Sequence, residues 1–272
     1  MLLLALPFGL LIGLVVGTVG GGGAILALPV LVYVLGEGVG PATTASLVVV
    51  AAAAAIGGSS LARDRQVCWR IAWAFAVPAA AGSLLGTLGN QAISARALIL
   101  AFVPVMLVAA TATWRRTSGD DATDEQAGCP PASIGRTTIA GLGVGVLTGF
   151  FGVGGGFLIV PVLTIWLGVG FRRAVGTSLV IITLTAITAL GSHLVAGASL
   201  DVPITAALAT ATGVGAFAGA AFGKRLPQRE LGRGFAVIVL VVAMLLLADS
   251  LLLGGPPQAE QGLVRLPTPI LG

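Results

Sequence analysis

Two short sets of residues carry the chemistry that this chain offers. One is Gly152, Gly154, Gly155 and Gly156, followed by Thr177 and Ser178; the other is Gly20, Gly21, Gly22 and Gly23, followed by Thr43, Thr44 and Ser46. Glycine N–H groups and Ser/Thr hydroxyls are hydrogen-bond donors, and without a Cβ an oxyanion can approach the backbone closely. No Lys or Arg falls within these segments. The expected site is therefore neutral, made of dipoles and hydroxyls, and it holds a small anion weakly enough to release it. No catalytic residue, metal or cofactor is needed for that task. For any single hydroxyl here, capping a helix or bonding back to the preceding turn is the commoner role. Their placement beside equivalent glycine clusters favours the joint reading.

Other candidates are weaker. His193, the one histidine, is a possible accessory group that could titrate or touch a passing anion, although a structural histidine at the interface is the commoner case. Asp249 lies inside an apolar run but about a turn from its end, within reach of water. Ser178 and His193 cannot form a protease-like dyad, because fifteen residues of one helix separate them by roughly 22 Å. Gly152-Val-Gly154-Gly-Gly156 has no preceding strand, no acidic ribose partner and no following Gly-Lys-Ser/Thr, so it is not a nucleotide loop. Cys68 and Cys129 have no metal or redox spacing and are expected to be bystanders, with no disulfide indicated. The chain is not expected to be an enzyme.

The elements that position these residues are membrane helices. Hydrophobic residues make up 57% of the 272 positions and charged residues 9%, against about a quarter charged in soluble domains. Apolar runs cover roughly 2–18, 24–35, 41–61, 67–88 and 95–114, then 137–151, 156–167, 174–196, 202–222 and 234–253. The expected division is a first membrane repeat (1–114), a polar mobile linker (115–136), a second repeat (137–254) and a C-terminal tail (255–272). The leading Met-Leu-Leu-Leu lacks a positive n-region and reads as the start of the first membrane helix.

The halves repeat one another. At an offset of 132, Pro29-Val-Leu31 falls on Pro161-Val-Leu163, and Gly9, Gly13, Gly17, Gly20, Gly22 and Gly23 fall on Gly141, Gly145, Gly149, Gly152, Gly154 and Gly155. After one added residue, Gly82 and Gly86 match Gly215 and Gly219. Glycine at every fourth position marks close helix packing. The second run of each half makes roughly 18 Å of helix, short of the roughly 30 Å hydrocarbon core, and reads as a half-helix starting within the membrane. If the first two runs of each half together form one span, the basic residues divide evenly. If they return the chain to one side, Arg63, Arg65, Arg70, Arg115, Arg116, Arg136, Arg172, Arg173, Lys224, Arg225, Arg229 and Arg233 share a side, and only Arg96 and Arg265 oppose them. The expected fold is therefore an all-α polytopic membrane protein of two inverted repeats, each of about five segments. The basic side is cytoplasmic, both termini are external, and glycine-led half-helices meet near the midplane. These arginines are topology signals, and a nucleic-acid partner is not expected.

Gly152-Val-Gly-Gly-Gly-Phe-Leu-Ile-Val-Pro161 and Gly20-Gly-Gly-Gly-Ala-Ile-Leu-Ala-Leu-Pro29, with Thr177-Ser178 and Ala45-Ser46 downstream, resemble the TauE/SafE sulfite exporter family of bacterial inner membranes. The resemblance covers nearly the whole chain apart from the linker and tail. It implies export of sulfite, a related sulfur oxyanion or an organosulfonate. The first half departs from the pattern with Gly21 for Val153, Ala24 for Gly156 and Ala45 for Thr177, which shifts the expected substrate contacts toward the second half. The expected partners are a small anion and the lipid bilayer. The alternatives are uptake or exchange of another small anion, and a nontransporting membrane scaffold.

Overall fold

The structure, a computed structural model, describes residues 2–21, 26–27, 30–31, 39–90, 95–118, 129–131, 133–151, 156–195 and 202–252. Its helices are α1 (Leu2–Val19), α2 (Val39–Arg63), α3 (Trp69–Asn90), α4 (Ala95–Ser118), α5 (Ile134–Phe151), α6 (Gly156–Pro161, continued by a π-helical turn over Val162–Trp166), α7 (Phe171–Val195), α8 (Val202–Gly223) and α9 (Gln228–Leu252). Among the described residues, Pro41–Arg63, Phe171–Gly191, Val202–Gly223 and Gln228–Ala248 are long and apolar enough to cross a membrane, and Ala5–Val19, Ile134–Phe150 and Gly156–Trp166 are shorter apolar helices. The chain is a multi-pass helical membrane protein. α4 runs through Ser118, into the stretch expected as linker. The short second run of the first half, 24–35, falls mostly outside the described residues. Its counterpart is the short helix that starts at Gly156.

The glycine stripes are consumed in helix packing, and each half's stripe docks on the other half. On α1, a Cβ at Gly9 would meet Leu208 and Ala211, at Gly13 Thr212 and Ala216, and at Gly17 Ala216 and Ala220, all on α8. On α5, a Cβ at Gly141 would meet Phe75, at Gly145 Ala79 and at Gly149 Ser83, all on α3. The facing glycines reciprocate: Gly215 and Gly219 lie on Leu10 and Leu14, while Gly82 and Gly86 lie on Leu142 and Val146. These partners are equivalent residue for residue under the offsets that align the halves. Contacts advance in the same order along both helices of each pair, so α1 runs parallel to α8 and α5 parallel to α3. Backbone lies on backbone, a separation that only residues without side chains allow.

Other contacts set the remaining directions. Gly57 and Gly58 of α2 face Leu179 of α7, whereas Gln66 and Leu61, further along, face Gly176, so α2 and α7 run oppositely. The Arg233 guanidinium near the start of α9 lies 5.6 Å from the ring centre of Trp114 near the end of α4, so these two are also opposed. Gly213 meets Ile56, and Lys224 binds Ser60 at 3.2 Å and pairs with Asp64, so α2 and α8 share a direction.

These contacts gather the polar helix ends at one end of the bundle. Arg172 donates to the Leu226 carbonyl at 2.8 Å, Arg136 donates to the Trp166 carbonyl at 3.4 Å, and Lys224 joins the α2–α3 turn. Trp69, Trp73, Trp114 and Trp166 are all exposed near this end, as interfacial tryptophans are. The cysteines correct the expectation drawn from sequence. Cys68 and Cys129 form a disulfide, with Cα atoms 5.7 Å apart, that pins the chain just before α5 to the start of α3. Their 61-residue separation matches no framework pattern, and the parallel packing of α5 on α3, which sets the starts of the two helices side by side, brings them together.

Gly145→Ala, which places a methyl group against the Ala79 backbone, is expected to cost about 1–3 kcal/mol. Gly143→Ala, with nothing within 4 Å of the added carbon, should be neutral or slightly stabilising. Equal thermal unfolding of the two variants in detergent would remove the close approach of α5 and α3.

Candidate functional site

The first glycine cluster begins where α1 ends. The Gly20 N–H bonds the Val16 carbonyl at 2.8 Å, and Gly20 has φ +80°, the left-handed conformation that stops a helix. The chain then runs into the second half. A Cβ at Gly20 would lie 2.9 Å from Ser178 Oγ, 3.3 Å from Val175 Cγ1 and 3.4 Å from Val160 Cγ2. A Cβ at Gly21 would overlap the Gly156 carbonyl, and one at Gly156 would lie 3.0 Å from Ile182 Cδ1 and 3.1 Å from the Gly21 oxygen. Gly20, Gly21 and Gly156 are all buried. Thus the structure brings the start of one cluster onto the end of the other, beside Ser178.

The surroundings are apolar and tightly packed. Every residue from Gly156 to Pro161 is buried, and the Phe157 ring meets Phe102 of α4 edge-on at 5.1 Å. An apolar groove between α4 and α6, lined by residues such as Val108, Pro161 and Ile165, has almost no polar surface with which to hold an anion.

The hydroxyls divide into two kinds. Ser46 donates to the Thr43 carbonyl at 2.7 Å and Ser178 to the Val175 carbonyl at 2.8 Å, so equivalent serines in the two halves both turn back onto their own helix. Either must rotate its proton away from that carbonyl to serve a ligand. Thr177 is fully buried, and its Oγ1 accepts the Cys68 N–H at 3.0 Å, which leaves the hydroxyl proton available to donate. Sequence reasoning missed this Cys68 contact, since 109 positions separate its partners. A Cβ at Gly176 would meet the Gln66 carbonyl at 2.5 Å, so the α2–α3 turn closes directly over Gly176-Thr177. Thr44 is fully buried and Thr43 partly so. Gly22, Gly23, Gly152, Gly154 and Gly155 lie outside the described residues, as do the side chains of His193 and Asp249. α7 runs as one helix through both Ser178 and His193, so their separation stands.

Thr177→Val removes the acceptor of the buried Cys68 N–H and should destabilise the protein by about 1–3 kcal/mol, whereas Thr177→Ser should retain most of the stability. Thermal unfolding of the two variants tests this contact, and wild-type stability in Thr177→Val with a loss in Thr177→Ser would show that the methyl group, not the oxygen, matters.

The profile of the sulfite exporter TauE/SafE family matches residues 5–246. A probable membrane transporter protein of Xylella fastidiosa strain 9a5c is 29% identical over 253 residues, covering 89% of this chain and 94% of the relative. Its counterpart in strain Temecula1 is 31% identical over 185 residues, covering 65% of this chain and 68% of the relative. The probable membrane transporter protein YunE of Bacillus subtilis is 26% identical over 266 residues, covering 88% and 96%. No solved structure matches the chain. With its family profile spanning nearly the whole sequence, the chain belongs to the sulfite exporter TauE/SafE family of membrane transporters.

Proposed function

We propose that this transporter exports sulfite or a related sulfur oxyanion or organosulfonate across the bacterial inner membrane, through a neutral site shared by two inverted repeats. The observation that carries the reading is the contact of Gly20 and Gly21 from the first half with Gly156 and Ser178 from the second. Equivalent segments from two halves meet there, and Thr177 adjoins Ser178 in the chain. Counterpart helices α2 and α7, and α4 and α9, run in opposite directions, which supports inversion. The basic helix ends share one end of the bundle, which supports a cytoplasmic arginine side and external termini. The substrate class rests on the family description.

The site is proposed to comprise Gly20 to Gly23, Thr43, Thr44, Ser46, Gly152, Gly154 to Gly156, Thr177 and Ser178. With the cell interior negative, each negative charge that leaves gains about 2.3 kcal/mol per 100 mV, so a sulfite dianion exits by facilitated diffusion without a coupled proton. The described glycine stripes are spent on packing within the chain, which disfavours a scaffold that would use them to assemble with partners.

Proteoliposomes loaded with sulfite should show efflux that rises with inside-negative potential and persists when the pH gradient is collapsed at clamped voltage. Loss of flux on that collapse would require a coupled proton. A panel of sulfite, sulfate, thiosulfate and taurine should show saturable flux for at least one, and no flux for any of them would leave the scaffold reading.

A further inference from the structure

We propose that the Cys68–Cys129 disulfide is a covalent reaction site for sulfite, opened reversibly by the anion that the transporter carries; the choice of sulfite rests on the preceding reading. The disulfide lies at the end of the bundle where the basic residues gather. The positive-inside rule places that end in the cytoplasm, where disulfides in most organisms are transient and reactive.

The two sulfurs are unlike. Cys129 is exposed, whereas Cys68 is 2% exposed, so a nucleophile from solution reaches the Cys129 sulfur. Arg173 Nη1 stands 3.7 Å from Cys129 Sγ, where its charge draws in a dianion and then holds the product. Cys68 directly precedes α3, and its carbonyl accepts the Ala72 N–H at 2.9 Å, the first bond of that helix. A thiolate on Cys68 therefore sits at the positive end of a 22-residue helix, where negative charge is stabilised.

In the reaction, the sulfite sulfur lone pair forms a bond to Cys129 Sγ. The Cys68–Cys129 bond breaks, and its electron pair goes to Cys68 as thiolate, which takes a proton from water. Cys129 becomes an S-sulfonate. Sulfite is the two-electron reductant of the disulfide, so no other redox partner enters. The reverse attack by the Cys68 thiolate expels sulfite and restores the disulfide, so the state of the pair follows sulfite concentration. Because the Cys68 N–H binds Thr177 Oγ1 and the Gln66 carbonyl covers Gly176, the disulfide ties Cys129 to the turn that braces the proposed transport site.

Intact-mass measurement and peptide mapping of the disulfide-bonded protein in nanodiscs, incubated with sulfite or sulfate, test the proposal. The expected result with sulfite is one adduct on Cys129 and a free thiol on Cys68, with the disulfide restored when sulfite is removed; sulfate should have no effect. Arg173→Gln should slow opening by roughly fivefold to thirtyfold, the effect at about this distance in water of one positive charge on a singly to doubly charged anion. An intact disulfide, an adduct on Cys68, or an unchanged rate in Arg173→Gln overturns the proposal. Sulfite flux measured after reconstituting the same protein into proteoliposomes separates the two readings. An adduct without flux overturns the transport reading alone, and flux without an adduct overturns this one alone.

Discussion

Inside a bilayer there is no solvent to satisfy a backbone that leaves its helix, so any such stretch must be enclosed by protein. The rest of this structure depends on that constraint. α1 stops at Gly20 in a left-handed conformation, and Gly20 itself is covered by Val160, Val175 and Ser178. Enclosure this tight needs helices closer than ordinary side chains permit. The glycine stripes on α1 and α5 supply that closeness by setting backbone directly on α8 and α3.

Much of this architecture was legible in the chain itself. Glycines four apart announce close packing, and the offset between halves announces equivalence. What they do not announce is the partner, because a smooth helix face records that a neighbour approaches but not which one. Docking of each stripe on the opposite half emerges only in three dimensions, from contacts about 200 residues apart for α1. The short helix at Gly156 was legible from its length and leading glycines. The π-helical turn after Pro161 was not, since no local residue type specifies it.

For the candidate site, the residue types could be named from the sequence, but the bonding of the described hydroxyls could not. Ser46 and Ser178 obey the local rule that such hydroxyls return to a nearby carbonyl, and they do so identically in both halves. Thr177 departs from that rule because the α2–α3 turn offers it the Cys68 N–H. The first half has Ala45 at the equivalent position, so this bond has no symmetric counterpart. The disulfide escaped sequence reasoning for a related cause: its cysteines come from segments with no shared pattern, brought together by that same turn and the stretch leading into α5.

The crossed docking of the two halves also orders the assembly of the protein in time. When α5 emerges during synthesis, α3 has already been made and can receive its glycines. α1, by contrast, is made well before its partner residues, which run from Leu208 to Ala220. Until α8 is made, the smooth face of α1 therefore has no mate, and the hydrophobicity of the span must hold it in the bilayer. The arrival of α8 then seats α1 against a partner made about 200 residues later and encloses the end of α1, before α9 follows and docks on α4.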